Sequence, residues 1–124
     1  MRDIILIIEN DLDDILLLTD ALEIIKPEYD IVFVNNIDQF KKHVTETKKL
    51  PRLIILDLYL PKDTGVDILD YIKKHETYSR LPVIIYSNMV ENFIRTGSKH
   101  YFISKPQSFD HIVKSLNIIS DLLN

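Results

Sequence analysis

Leu53-Ile54-Ile55-Leu56-Asp57-Leu58-Tyr59-Leu60-Pro61 is the stretch that decides how this chain folds. Four apolar residues without alternation describe a strand covered on both faces, as in the interior of a parallel sheet. Asp57 then falls at the C-terminal end of that strand, the end at which open α/β sheets carry ligands and chemistry. Pro61 and Gly65 predict an intervening loop, so Asp57 is not accounted for as the cap of a following helix.

The segments on either side alternate in period. Ile4–Ile8 is a second unalternating, β-branched run, and Leu12–Ile25 carries apolar residues at 15, 18, 22 and 25 before Lys26-Pro27 ends the pattern, a helix with Asp11 as its N-cap. Ile31–Val34 reads as a strand and Ile37–Lys48 as a helix capped by Asn36, with Gln39 three residues on. Beyond Leu53–Leu56 come a helix over Val66–His75, a strand over Pro82–Tyr86, a short helix over Met89–Thr96, a strand over Tyr101–Ile103 and a last helix over Phe109–Leu123. Five β-α units require a parallel, doubly wound α/β sheet with right-handed crossovers and helices on both faces. No repeat, low-complexity tract or linker divides residues 1–124, so one domain with no output domain is expected.

Composition narrows the function. Of 124 residues, 46% are hydrophobic and 27% charged, an ordinary balance for one core. A net charge of -4, with no run of basic residues, lacks the footprint of a nucleic-acid binder. There is no cysteine, and His43, His75, His100 and His111 show no metal-ligand spacing and are expected at the surface. Ile4–Ile8 is too short to span a membrane and Met1-Arg2-Asp3 begins no signal peptide, so a cytoplasmic protein without membrane contact is expected.

Parallel strands bring the residues that follow them to one rim, here Glu9-Asn10-Asp11, Asp57, Ser87 and Lys105. Asp11, Asp13 and Asp14 also suit the first turn of a helix, where acids meet the positive end of the macrodipole, and they are read as a cap and its neighbours. Clustered carboxylates repel one another, and a hard cation such as Mg²⁺ removes that repulsion. Asp57 could then accept a phosphoryl group as an aspartyl phosphate, with the Lys105 ammonium and the Ser87 hydroxyl meeting its oxygens.

Ile-Ile-Glu9-Asn10-Asp11, Leu-Asp57-Leu-Tyr-Leu-Pro61 with Gly65, Ile-Tyr-Ser87 and Ser-Lys105-Pro106, in this order on five β-α units, resemble the receiver domain of two-component response regulators. The likeness covers essentially the full length, as in stand-alone, chemotaxis-type regulators. It implies a flavodoxin-like (βα)5 fold with strand order 2-1-3-4-5, a signalling module rather than an enzyme. Asp57 would be the phosphoacceptor, Lys105 the phosphate-binding lysine, Ser87 the switch hydroxyl, Phe102 the switch aromatic, and Pro106 and Gly65 structural positions. Mg²⁺ would be held by Glu9, Asn10, Asp57 and the Tyr59 backbone carbonyl. The implied partners are a sensor histidine kinase or phosphotransfer protein and an unknown downstream protein target.

Two departures bear on this. The second member of the family's acidic pair is Asn10, which offers an oxygen without a charge, so weaker Mg²⁺ binding is expected. Only 17 residues, positions 88–104, separate Ser87 from Lys105, leaving about two turns for the helix between the fourth and fifth strands. Both motivate an alternative, a pseudo-receiver that binds partners without phosphate. Leu16, Leu17 and Ile24 lie outside the main apolar stripe of the first helix. They are either a docking face for a kinase or part of a wide buried stripe; Lys99, His100 and Tyr101 are a second candidate surface.

Overall fold

A computed structural model describes residues 2–58, 60, 64–87, 100–105, 108–117 and 122–123. The elements are β1 (Ile4–Ile8), α1 (Leu12–Ile25), β2 (Asp30–Val34), α2 (Ile37–Glu46), β3 (Leu53–Leu56), α3 (Thr64–Lys74), a 3-10 turn (Tyr78–Arg80), β4 (Val83–Ser87), β5 (His100–Ser104) and α4 (Phe109–Leu116). The expected helix at Met89–Thr96 lies outside the described residues.

The five strands form one parallel sheet in the order β2-β1-β3-β4-β5. Side chains alternate across it. Ile5, Ile7, Leu53, Ile55, Ile84 and Ile103 face a core completed by Leu18 and Leu22 of α1 and Ile112 and Leu116 of α4. Leu6, Ile8, Ile54, Leu56, Val83 and Ile85 face the other core, with Phe40 of α2 and Ile68, Leu69 and Ile72 of α3. Residues buried on both faces explain why these strands read as unbroken apolar runs. Each fully buried Ile or Leu contributes roughly 1.5–3 kcal/mol, so the two clusters fix sheet and helices together.

Local sequence sets the helix ends. The Asp11 carboxylate caps α1 by accepting from the backbone of Asp13 and Asp14. Asn36 accepts from the Gln39 N–H at 2.8 Å while the Gln39 side chain accepts from Asn35, a reciprocal cap. Ser108 caps α4 through the His111 N–H. The histidines are not all simple surface residues. His75 Nδ1 accepts from the N–H groups of Thr77 and Tyr78 and starts the 3-10 turn, and His43 is half-buried on α2.

Two expectations are corrected. Gly65 is not in a loop: α3 begins at Thr64, and Gly65 is buried in its first turn. A Cβ there would lie 2.5 Å from the Cα of Leu58, so backbone contact, not a chain break, demands glycine. The alternative of a wide buried stripe on α1 fails: Ile15, Leu18 and Leu22 of the main stripe are buried, but Leu12, Leu16 and Ile24 are more than half exposed, and Leu17 is exposed as well. No helix among the described residues is long and apolar enough to cross a membrane.

Candidate functional site

Between β1 and β3 the strand order reverses, and β1 leads outward to β2 while β3 leads to β4 and β5. A crevice opens outside the carboxyl ends of strands at such a switch point. Ile8 pairs with Leu56, so Glu9 and Asp57 leave neighbouring strands at the same level, tied by the Asp57 N–H to Ile8 O at 3.0 Å. Ser87 closes β4 opposite Ser104, and Lys105 follows, its N–H donating to Ser87 O at 3.1 Å. Glu9, Asp57 and Lys105 continue the strand positions that face the core shared with α1 and α4.

Burial sharpens the chemistry. Glu9 is 2% exposed, Asp57 4% and Ser87 not at all. Lys105 Nζ lies 2.9 Å from Asp57 Oδ2, 3.0 Å from Glu9 Oε2 and 2.6 Å from Asp14 Oδ2. One ammonium therefore balances three carboxylates. Burial alone would pull the Lys105 ammonium down, but the hydrogen bonds to Asp14 and Asp57 and the charge of Glu9 outweigh it and hold lysine above its ordinary range. Glu9 moves the other way for a carboxyl, up to about 7, because burial penalises its charge and Asp57 adds a hydrogen bond and repulsion. Lys105 and the Asp11 N–H only partly offset this.

Glu9 Oε1 also accepts from the N–H groups of Asn10 and Asp11, which fixes the turn from β1 into α1. Asn10 itself is exposed, and its contact with the site runs through its backbone. Among the described residues the Ser87 hydroxyl has no hydrogen-bond partner, although it is fully buried. Such an orphan costs roughly 1–3 kcal/mol unless something arrives to bond it. Tyr59, Pro106 and the side chain of Phe102 lie outside the described residues, as do Lys99 and the His100 side chain; Gly65 supports the loop that carries Leu58. Among the described residues no group of three or more acidic, histidine or cysteine side chains is arranged to hold a metal ion.

Two neighbours of Lys105 were not assigned to the site from the sequence. Asp14 joins it from the first turn of α1, where an acid reads as a dipole partner. Tyr86, one residue before Ser87, places its ring centroid 5.7 Å from Lys105 Nζ. Burial first, and then the negative charge of Asp14, push its hydroxyl up to about 12.

The sequence profile of the response regulator receiver domain matches residues 5–117. This chain belongs to that family. Among relatives, the polar-differentiation response regulator DivK of Brucella ovis is 30% identical over 70 residues, 53% of this chain and 57% of that protein. A protein of Methanothrix harundinacea named "Probable methanogenesis regulatory protein FilR2" is 29% identical over 89 residues, 68% of this chain. The match again spans 57% of that protein's length, so this chain spans just over half the length of these relatives. The phosphorylated cyanobacterial phytochrome response regulator RcpA superposes with a TM-score of 0.80 at 22% identity, over 99% of this chain and 94% of that one. The Mn²⁺-bound form of the response regulator Rcp1 does so with a TM-score of 0.71 at 22% identity, over 99% and 96%. At that identity the two structures speak to the fold, the α/β flavodoxin-like receiver fold. Receiver domains are signalling modules of two-component systems, they bind Mg²⁺ in general, and histidine kinases or phosphotransfer proteins are their general partners.

Proposed function

We propose that this receiver domain is the phosphoacceptor of a cytoplasmic two-component phosphorelay, modified on Asp57 and signalling through protein contacts. The observation that carries the proposal is the pairing of a buried carboxylate at the end of β3 with a lysine at 2.9 Å, beside a buried hydroxyl that has no hydrogen-bond partner among the described residues. An oxygen of Asp57 attacks phosphorus in the donor, the P–N bond of a phosphohistidine breaks, and the electron pair leaves on the imidazole, which takes a proton from water. Lys105 donates to the phosphoryl oxygens. Ser87 Oγ donates to another.

The donor set suits Mg²⁺, which accepts hard oxygens and takes one or two protein carboxylates. Glu9 and Asp57 supply those, and the rise of the Glu9 carboxyl to about 7, chiefly from burial, includes a repulsion from Asp57 that a divalent cation would relieve. Asn10 and the Tyr59 carbonyl are the further expected oxygens. The bound ion would supply neutralisation of the negative charge that phosphoryl transfer concentrates here.

On α1 the exposed Leu12, Leu16, Leu17 and Ile24 form the face on which a kinase or phosphotransfer protein would dock. Incubation with Mg²⁺ and acetyl phosphate, followed by intact-mass measurement, tests the proposal: one phosphate adduct is expected in the wild type and none in Asp57→Ala. No adduct in the wild type, with partner binding unchanged by Asp57→Ala, would instead establish the pseudo-receiver.

A further inference from the structure

Among the described residues no strand lies beyond β2, so its outer side is an edge of the sheet. The Asp30 N–H donates to Asp3 O at 2.8 Å, and Val34 O accepts from the Glu9 N–H at 3.1 Å. Alternate residues of a strand turn their backbone groups to opposite sides, so Asp30, Val32 and Val34 face β1 while the N–H and C=O groups of Ile31 and Phe33 point outward. Natural edges are blunted by lysine, proline, a bulge or an inward charge. Ile31-Val32-Phe33-Val34 has none of these; it is β-branched and aromatic throughout, and its register with β1 is unbroken. Asp30, the one charged residue of the strand, is paired with Arg2 at 2.7 Å.

The side chains beside this edge are apolar and exposed. Phe33 is 50% exposed and, two residues after Ile31, shares its place on the α1 face of the sheet. Thr19 and Glu23 of α1 border a groove with Asp30 and Ile31. Leu12 and Leu16 continue that flank of the helix at i, i+4 spacing, and α1 runs back against the strand direction, so both exposed leucines lie toward the Phe33 end. Independently of the phosphoacceptor reading of Asp57, we infer that the outer edge of β2 is a docking surface for a second copy of this chain, joined antiparallel through Ile31-Val32-Phe33.

Self-complementarity selects this occupant. With the two-fold axis at Val32, Ile31 and Phe33 of one copy stand opposite Phe33 and Ile31 of the other, and each pair exchanges both N–H···O bonds. The same pairs set a β-branched side chain against an aromatic one on the α1 face, and Val32 meets Val32 on the other. Asp30 meets Val34 of the second copy, so no like charges stand opposite, whereas a parallel, in-register approach would set the two Asp30 carboxylates side by side. Such an isologous contact closes at two copies. A strand of five residues with a few flanking side chains covers less than the ~1,600 Å² of a standard interface, so a weak dimer is expected, with Kd of roughly tens to hundreds of micromolar.

Sedimentation equilibrium from roughly 10 µM to 1 mM, with residue-resolved amide exchange by NMR at both ends of that range, tests the contact. The mean mass of the wild type should rise toward two chains. The Ile31 and Phe33 N–H groups should exchange fast in the dilute protein and several-fold more slowly in the concentrated one, while Val32, already bonded to β1, changes far less. Phe33→Lys places at the edge the residue that natural sheets use against pairing, and should weaken association on the order of tenfold or more. Val66→Lys, at a similarly exposed position on α3, should leave it unchanged. The exchange measurement is made on the wild type and decides the matter even if Phe33→Lys fails to fold. A monomer throughout, with Ile31 and Phe33 exchanging fast at both ends, would leave the edge to another occupant and overturn the inference. So would a dimer in which those two N–H groups stay unprotected, or one that survives Phe33→Lys, since either joins the copies elsewhere.

Discussion

Glu9→Gln should change how the stability of this domain depends on pH. In the folded protein the Glu9 carboxyl is raised from its ordinary 4.5 to about 7, chiefly by burial and secondarily by Asp57. The folded state therefore holds a proton on Glu9 that the unfolded chain has already lost between those two values. Stability falls as pH rises through that window: the favourable contribution is complete below pH 4.5 and gone above about 7. At about 1.4 kcal/mol for each pH unit, the loss is on the order of 3 kcal/mol. Glutamine keeps the shape of the protonated acid and cannot ionise. Urea unfolding at fixed ionic strength between pH 4 and 8 would give the two stabilities. The difference should be pH-independent at the acid end and shift in favour of Glu9→Gln by roughly 2–3 kcal/mol toward pH 8. Mg²⁺ favours the ionised carboxylate and should move the wild-type slope to lower pH. A difference between the two proteins that stays constant across the range, or grows toward acid, would refute the account of Glu9 as a carboxyl destabilised by its surroundings.

Gly65→Ala should destabilise the fold. The new methyl meets the backbone of Leu58, and overpacking of roughly 1–3 kcal/mol exceeds the gain of up to about 1 kcal/mol from better helix propensity. A fall in Tm of several degrees by circular dichroism is expected, with slower modification of Asp57 next door; an unchanged or higher Tm would contradict it. Asn10→Asp restores a carboxylate beside Glu9 and should tighten Mg²⁺ roughly tenfold by calorimetric titration. Equal affinities for the two proteins would remove position 10 from the metal account.

Much of the fold was legible because burial on both faces leaves an unambiguous pattern. Ile4–Ile8, Leu12–Ile25 and Leu53–Leu56 run in the structure as their periodicity predicts, and Asp11 and Asn36 cap the helices they precede. The start of α3 was not legible. Glycine ordinarily interrupts a helix, so Gly65 reads as a loop residue, and only the closeness of Leu58 shows why a helix needs it there. The 3-10 turn at Tyr78–Arg80 was missed for a related reason. It depends on a histidine side chain, His75, replacing backbone acceptors, and nothing in the hydrophobic period marks that.

The candidate site divides in the same way. Glu9, Asp57, Ser87 and Lys105 each follow or end a strand, and parallel topology alone brings strand ends to a common rim, so the sequence by itself determined that they meet. It could not distinguish Asp13 from Asp14. Both are acids in the first turn of one helix, both satisfy the dipole, and local physics gives them the same role. Tertiary structure separates them. Once Ile15, Leu18 and Leu22 seat α1 against the sheet, a rotation of about 100° per residue leaves Asp13 in solvent and turns Asp14 to the ammonium of Lys105, 91 residues away.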